Sequence, residues 1–110
     1  SGGLSIAHAM TRGLSAVRGA RDALHGHQVA YALLVQLALE GRDRAFLDDL
    51  ATFYRATDLP LSLTDLGMPD ATDDEIDAIA AGTMTAPHAR NFQRELVAAD
   101  IASAMRSIAR

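Results

Sequence analysis

The sequence predicts an all-α domain, because it is rich in alanine, carries several helix-end signals and lacks alternating segments. Twenty-two of its 110 residues are alanine, aromatic residues make up only 5 %, and tryptophan is absent. Alanine is the strongest helix former and a weak strand former, so this composition favours closely packed helices. No stretch shows the alternation of apolar and polar residues that is typical of a half-buried strand. With 49 % hydrophobic residues, the chain is expected to form one domain over residues 1–110, with about five helices.

Two helices are predicted in the first forty residues. The first covers Leu4–Arg12, where apolar residues recur with helical spacing. Residues 13–21 contain two glycines and are interpreted as a loop or a broken helix. Asp22 is a candidate N-cap for a second helix that ends at Gly41. The segment Val29–Leu39 contains only two polar residues, which indicates a helix buried on most sides.

Three more helices are predicted in the rest of the chain. Asp43 is a candidate cap for a helix with one apolar stripe, formed by Phe46, Leu47, Leu50, Phe53 and Tyr54. Residues 62–67 are expected to form a single capped helical turn. A capping box at residues 72–75 begins a helix that we expect to end before a loop at residues 82–91. The last helix presents a single apolar face, formed by Val97, Ile101, Met105 and Ile108.

Charge and cysteine content exclude several classes of function. The net charge is −4 and the isoelectric point is near 5.4, which argues against a nucleic-acid binder. The absence of cysteine excludes disulfides, thiolate catalysis and cysteine-ligated zinc, and it fits a cytoplasmic protein. The longest apolar run is far shorter than the roughly 20 residues needed to cross a bilayer, so no membrane partner is expected. The chain begins without Met or a basic segment, and we expect it to be processed or part of a longer protein.

Four histidines are the candidate metal ligands, namely His8, His25, His27 and His88. If residues 13–19 form a loop, His8 and His25 lie at the same level on adjoining helices. If the chain instead makes a tight hairpin at Gly19, they are roughly 10 Å apart along the helix axis. Two neutral imidazoles are typical ligands of zinc, but a zinc site usually has three or four protein ligands. Such a pair also arises from packing or surface positions, and the spacing leaves both interpretations open.

Two motifs resemble a known family. SGGLSIAHAMTRGL at residues 1–14 and ALHGHQVAYALLVQLALEGRD at residues 23–43 resemble the glycerol dehydrogenase branch of the iron-containing alcohol dehydrogenase superfamily, which is related to dehydroquinate synthase. FYRATDLPLSLTDLG at residues 53–67 is also similar to that family, so the resemblance covers essentially the whole chain. It implies that the chain is the C-terminal helical domain of such an enzyme, without the N-terminal α/β domain that binds NAD.

The resemblance also implies a site and an activity. His8 and His25 match the two histidine ligands of the family's divalent metal, which is zinc or iron, and the third ligand, an Asp, precedes this chain. The expected activity is an NAD-dependent oxidation of a small polyol or alcohol, in which the metal polarises the substrate hydroxyl for hydride transfer. The complete protein is expected to be a homo-oligomer, and the isolated chain is expected to be inactive. Thr11 stands where many relatives carry a second histidine, and the roles of His27 and His88 stay open.

Two other functions are compatible with the same sequence. The chain could be a non-enzymatic helical module for interaction or oligomerisation, derived from such a domain. It could also serve an elimination of the dehydroquinate synthase type, which uses the same helical metal domain. Residues encoded before Ser1 would distinguish the first alternative, since a glycine-rich nucleotide loop and an upstream Asp are expected only in the enzyme.

Overall fold

A computed structural model describes residues 5–85 and 97–108 of the chain, and it contains six helices in these ranges. They are α1 Ser5–Ser15, α2 Arg18–Arg21, α3 His25–Leu39, α4 Arg44–Ala56, α5 Asp73–Met84 and α6 Ala98–Ser107. The described residues form no strand, which confirms the all-α prediction. The helix beyond the expected five is α2, a single turn inside the segment interpreted as a loop or a broken helix. No described helix has the length and apolar character that crossing a membrane requires.

Four of the helices form a closed ring around the core. α1 packs against α3 and α5, and α6 packs against the same two helices from the other side, while α2 packs against α1. We call α1, α3, α6 and α5 the helix ring. Its interior is filled by fully buried side chains, which include Met10, Leu14, Tyr31, Val35, Ile76, Ile79, Ile101 and Met105. α4 lies outside the helix ring.

Two glycines that were expected to end helices lie inside them instead. α1 continues through Gly13 to Ser15, and α5 continues through Gly82 to Met84. The two glycines meet where α1 crosses α5, since a Cβ atom placed on Gly82 would lie 2.9 Å from the Cα atom of Gly13. Glycine costs a helix about 1 kcal/mol relative to alanine, but here it lets two backbones approach closely. The prediction of helix ends at these positions was wrong because it considered local propensity alone.

The predicted end of α3 is confirmed, and its predicted beginning is wrong. Gly41 has a φ angle of +69°, and the amides of Gly41 and of the next residue donate to the carbonyls of Ala38 (3.1 Å) and Leu37 (3.3 Å). This is the left-handed helix end that glycine favours. Asp22 does not cap α3, which begins at His25; it lies at the end of α2 instead.

The caps of α4 and α5 are confirmed. The Asp43 carboxylate accepts a hydrogen bond from the Ala45 amide at 2.7 Å. The Thr72 hydroxyl accepts from the Glu75 amide at 3.1 Å, and the Glu75 carboxylate accepts from the Thr72 amide at 3.0 Å. The turn at residues 62–67 also forms and ends at Gly67, which has a φ angle of +103°.

The apolar stripes of α4 and α6 are less buried than the sequence predicts. In α4 only Tyr54 is buried, and its hydroxyl donates to the Ala30 carbonyl at 2.7 Å. Phe46 and Phe53 are 46 % and 56 % exposed, because α4 lies outside the helix ring and one side of it has no helix against it among the described residues. Val97 is 57 % exposed because it precedes α6 as its N-cap residue, so it does not belong to the buried face of that helix.

Candidate functional site

The two predicted metal ligands are exposed and lie on helices that pack together. His8 is the one exposed residue among positions 6–10 of α1, where its neighbours are buried. His25 is the first residue of α3 and is also exposed. Neither imidazole is therefore part of the core, and both lie at the surface. His88 lies outside the described residues, so its position is not assigned.

A buried glutamine joins the two helices that carry these histidines. The Ala7 amide donates to Oε1 of Gln36 at 3.0 Å, and Nε2 of Gln36 donates to a Glu40 carboxylate oxygen at 3.1 Å. Nε of Arg42 donates to the other Glu40 oxygen at 2.9 Å. The hydrogen bond from Gln36, together with Arg42, lowers the pKa of Glu40 below its usual value. This chain of contacts fixes α1 against the C-terminal half of α3.

The Ala7–Gln36 hydrogen bond relates α1 to α3 next to His8. Ala7 lies beside Gln36, which follows His25 by eleven residues, or about 16 Å of helix. Of the two interpretations of residues 13–21, the broken helix is found: Gly13 belongs to α1, and residues 18–21 form the separate turn α2. The assignment of His8 and His25 to one metal therefore depends on the family resemblance, and it stays a prediction.

The described residues do not form a complete metal site. They include no group of three His, Cys, Asp or Glu side chains arranged to hold a metal ion. A metal bound by His8 and His25 would therefore need a further ligand from outside the described ranges. Zinc in catalytic sites takes three protein ligands, so the two histidines can be only part of such a set.

The beginning of α3 is held firmly on one side and open on the other. Nε2 of the buried Gln28 donates to the Ala20 carbonyl at 2.9 Å, which fixes the corner between α2 and α3. A Cβ atom placed on Gly26 would have no atom within 4 Å beyond its chain neighbours and the backbone of its own helix. The first turn of α3 is thus held in place against α2, and His25 lies at the surface.

A pocket of about 340 Å³ lies beside this first turn and was not predicted from the sequence. His27 lines it together with the C-terminal end of α4 and the segment that follows, through Arg55, Asp58, Leu59, Pro60, Leu61 and Asp65. His27 was a predicted candidate ligand, but Arg55 and Asp58 were not singled out. Their spacing along the chain matches no motif. Only the position of α4 brings them to α3.

The chain is similar in sequence to glycerol dehydrogenases. It is 33 % identical over 110 residues to glycerol dehydrogenase 1 of Schizosaccharomyces pombe, which covers 98 % of this chain and 24 % of that protein. It is 36 % identical over 80 residues to glycerol dehydrogenase of Pseudomonas putida, covering 73 % of this chain and 22 % of the relative. No protein-family model matches the chain.

Solved structures of glycerol dehydrogenases have the same fold over this region. A probable glycerol dehydrogenase from Sinorhizobium meliloti superposes with a TM-score of 0.84 at 28 % identity, covering 92 % of this chain and 29 % of that one. Glycerol dehydrogenase from S. pombe superposes with a TM-score of 0.83 at 34 % identity, covering 92 % and 26 %. The chain spans about a quarter of the length of these relatives, and the predicted resemblance is confirmed.

Proposed function

We propose, from the premise that the chain belongs to the glycerol dehydrogenase branch of the iron-containing alcohol dehydrogenase superfamily, that it is the metal-holding helical part of an NAD-dependent polyol dehydrogenase. The observation that supports this most strongly is the agreement of sequence and fold with glycerol dehydrogenases over nearly the whole chain. The nucleotide site would belong to a further domain, since the described residues form no strand and hence no strand–glycine loop–helix unit. We place the enzyme in the cytoplasm as a homo-oligomer.

The imidazole side chains of His8 and His25 are suitable donors for a divalent metal, zinc or iron, and the family resemblance assigns both to one ion. His8 and His25 are exposed, as ligands facing a cleft between two domains must be. Imidazole nitrogen suits both metals, and the remaining ligand would be the upstream Asp that the family resemblance implies. When bound, the metal supplies Lewis-acid activation of a substrate hydroxyl, and NAD accepts the hydride.

The residues of this chain would position the ligands and limit the access of water. The Gln28–Ala20 hydrogen bond and the buried face of α3 hold the first turn, and with it the Cα atom of His25, in one place. The Ala7–Gln36 hydrogen bond does the same for the turn of α1 that carries His8. Both polar contacts are buried, so they resist competition by water and keep the two ligands on a rigid support.

The experiment that tests this proposal is a chimera. The matching segment of the S. pombe glycerol dehydrogenase is replaced by this chain, and metal content and glycerol oxidation are measured. We expect a folded enzyme with bound metal and NAD-dependent activity. His8→Ala or His25→Ala should each remove the metal and lower kcat by several orders of magnitude, because a single histidine and one Asp are too few ligands.

His27→Ala is the matched control for metal content, since it removes an imidazole two residues from His25 on the same helix turn. It should keep its metal. If His27→Ala loses the metal and His25→Ala keeps it, the ligand is assigned two residues too early. If all three variants keep stoichiometric metal and normal turnover, the metal assignment is wrong and a non-enzymatic helical module is the better description.

A further inference from the structure

The pocket beside the first turn of α3 holds an unusual set of side chains. His27 lies on α3, Arg55 near the end of α4, and Asp58 and Asp65 in the segment between α4 and α5. We propose that this pocket binds a small, neutral, polyhydroxylated molecule, held by the donors of His27 and Arg55 and by the carboxylates of Asp58 and Asp65. The inference does not depend on the proposed dehydrogenase activity.

The pocket is separate from the predicted metal site. His27 follows His25 by two residues, and two residues of an α-helix rotate the side chain direction by about 200°. The two imidazoles therefore leave α3 on nearly opposite sides. A molecule in the pocket would lie against α4, whereas a metal at His25 would lie against the other side of α3. Its volume of about 340 Å³ is within the range of small-molecule pockets, roughly 300–1,000 Å³.

Three of the polar side chains in the pocket are not used by the fold. His27, Arg55 and Asp58 form no side-chain hydrogen bond or ion pair with any residue that the structure describes. Arg55 and Asp58 carry opposite charges and line the same pocket, but they do not form an ion pair there. Donors and acceptors thus line one volume without being engaged by other described residues.

The charges and the apolar residues of the pocket select the class of guest. The Asp65 carboxylate already accepts from the Leu61 amide, so one guanidinium and one uncommitted carboxylate face a bound molecule and select neither an anion nor a cation. A neutral hydroxyl group both donates and accepts, so neighbouring hydroxyls can satisfy Arg55 and the carboxylates together. Leu59, Pro60 and Leu61 offer an apolar surface to the carbon chain of such a molecule.

The backbone holds Asp58 in place before any guest binds. Its φ angle is +58°, in the left-handed region, and it follows the end of α4 where glycine is the usual residue. The amide of Leu59 donates to the Tyr54 carbonyl at 2.9 Å, which closes this helix end. The Leu61 amide donates to the Asp65 carboxylate at 3.0 Å. The backbone of Asp58 and the carboxylate of Asp65 are thereby fixed at the pocket wall, which lowers the ordering cost of binding.

Nuclear magnetic resonance of the isotopically labelled 110-residue chain tests the proposal, with sorbitol as the probe. We expect saturable shifts of the amide signals of His27, Arg55 and residues 58–61, with a dissociation constant in the millimolar range. Asp58→Asn should weaken sorbitol binding by about fivefold or more, because hydrogen bonds to a carboxylate are roughly twice as strong as neutral ones. Asparagine tolerates the left-handed conformation, so this variant keeps the backbone.

Asp49→Asn is the matched control, because it removes the same charge from an exposed residue of α4 that does not line the pocket. Its affinity for sorbitol should equal that of the wild-type chain. Shifts that do not saturate, shifts spread over the whole surface, or equal affinity in Asp58→Asn would each overturn the proposal. Tighter binding of inorganic phosphate or ethanolamine at the same residues would overturn the assigned class of guest.

Discussion

The crossing of α1 and α5 at two glycines leads to a prediction with an unusual sign. Replacing glycine by alanine inside a helix normally stabilises it by about 1 kcal/mol. At Gly13 the added Cβ atom would lie 2.2 Å from the Ile79 carbonyl oxygen, 2.7 Å from the Thr83 hydroxyl oxygen and 2.9 Å from the Thr83 amide nitrogen. Two of these three atoms belong to backbone and cannot rotate away, so Gly13→Ala should destabilise the fold.

The size of the effect follows from the distances. Ordinary contacts of a Cβ atom begin near 3.4 Å, so α1 and α5 would have to separate by more than 1 Å. The Thr83 side chain cannot simply turn aside, because its hydroxyl donates to the Ile79 carbonyl at 2.8 Å in the core. Overpacking of a well-packed core costs about 1–3 kcal/mol and sometimes more. We expect a net loss of about 2 kcal/mol, or a fall in Tm of roughly 10 °C for a domain of this size.

The assay is urea unfolding followed by far-UV circular dichroism, with Gly26→Ala as the matched control. Gly26 is also a helical glycine, but beyond its neighbours and its own helix backbone no atom lies within 4 Å of its added Cβ, so alanine there should be neutral or stabilise by up to ~1 kcal/mol. A Gly13→Ala chain as stable as the wild type would refute the close approach of the two backbones. Equal losses at both positions would show that the effect is not caused by the crossing.

Three further changes test contacts at the ends and on the outside of the helices. Tyr54→Phe removes the bond to Ala30 and should cost about 1 kcal/mol in urea unfolding at neutral pH. Burial raises the pKa of Tyr54 above 10.0, so the unfolded chain releases this proton first; wild-type stability should fall as the pH rises past about 10, and less so in the variant. Thr72→Ala removes the capping hydroxyl of α5 and should cost about 1 kcal/mol, measured by thermal unfolding. The hydrogen bond from the Gln36 amide lowers the pKa of Glu40 below 4.5. The ionised carboxylate therefore adds to the free energy of unfolding above pH 4.5, and this stabilisation is lost as the pH falls through the folded-state pKa. When the free energy of unfolding is measured against pH, a Glu40→Gln chain should lose less stability in acid than the wild type does.

Local signals in the sequence predicted three of the helix ends correctly. The caps at Asp43 and Thr72 and the helix end at Gly41 were all found where expected. Each depends on hydrogen bonds between residues only two to five positions apart, so the sequence contains all the information that decides them. The all-α class was predictable for a related reason, because alanine content acts through helix propensity at every position.

Features that depend on distant residues were not predictable in this way. Gly13 and Gly82 were interpreted as helix breakers because their contact with each other joins positions 69 residues apart. The position of α4 outside the helix ring has the same origin, since its apolar stripe alone predicts burial that Phe46 and Phe53 do not show. Propensity is a weak prior where tertiary packing decides the outcome.

The sequence predicts one of the two candidate sites but not the other. His8 and His25 were identified through the family resemblance, because their spacing alone also fits packing or surface positions. Gln36, which fixes the register of their helices, was visible only as an interruption in an apolar run. The pocket at His27 could not be found from the sequence, since Arg55 and Asp58 reach it through the placement of α4.

The attachment of α4 has a consequence for motion. Apart from its two ends, this helix is joined to the rest mainly by Tyr54 and a small apolar cluster with Ala30 and Leu34. Helices with few buried contacts open locally at much lower free energy than the core does. Amides of α4 should therefore exchange with solvent well before those of the helix ring. When α4 opens, Arg55 leaves the pocket. Binding in the pocket and packing of α4 against the rest of the domain are therefore coupled equilibria.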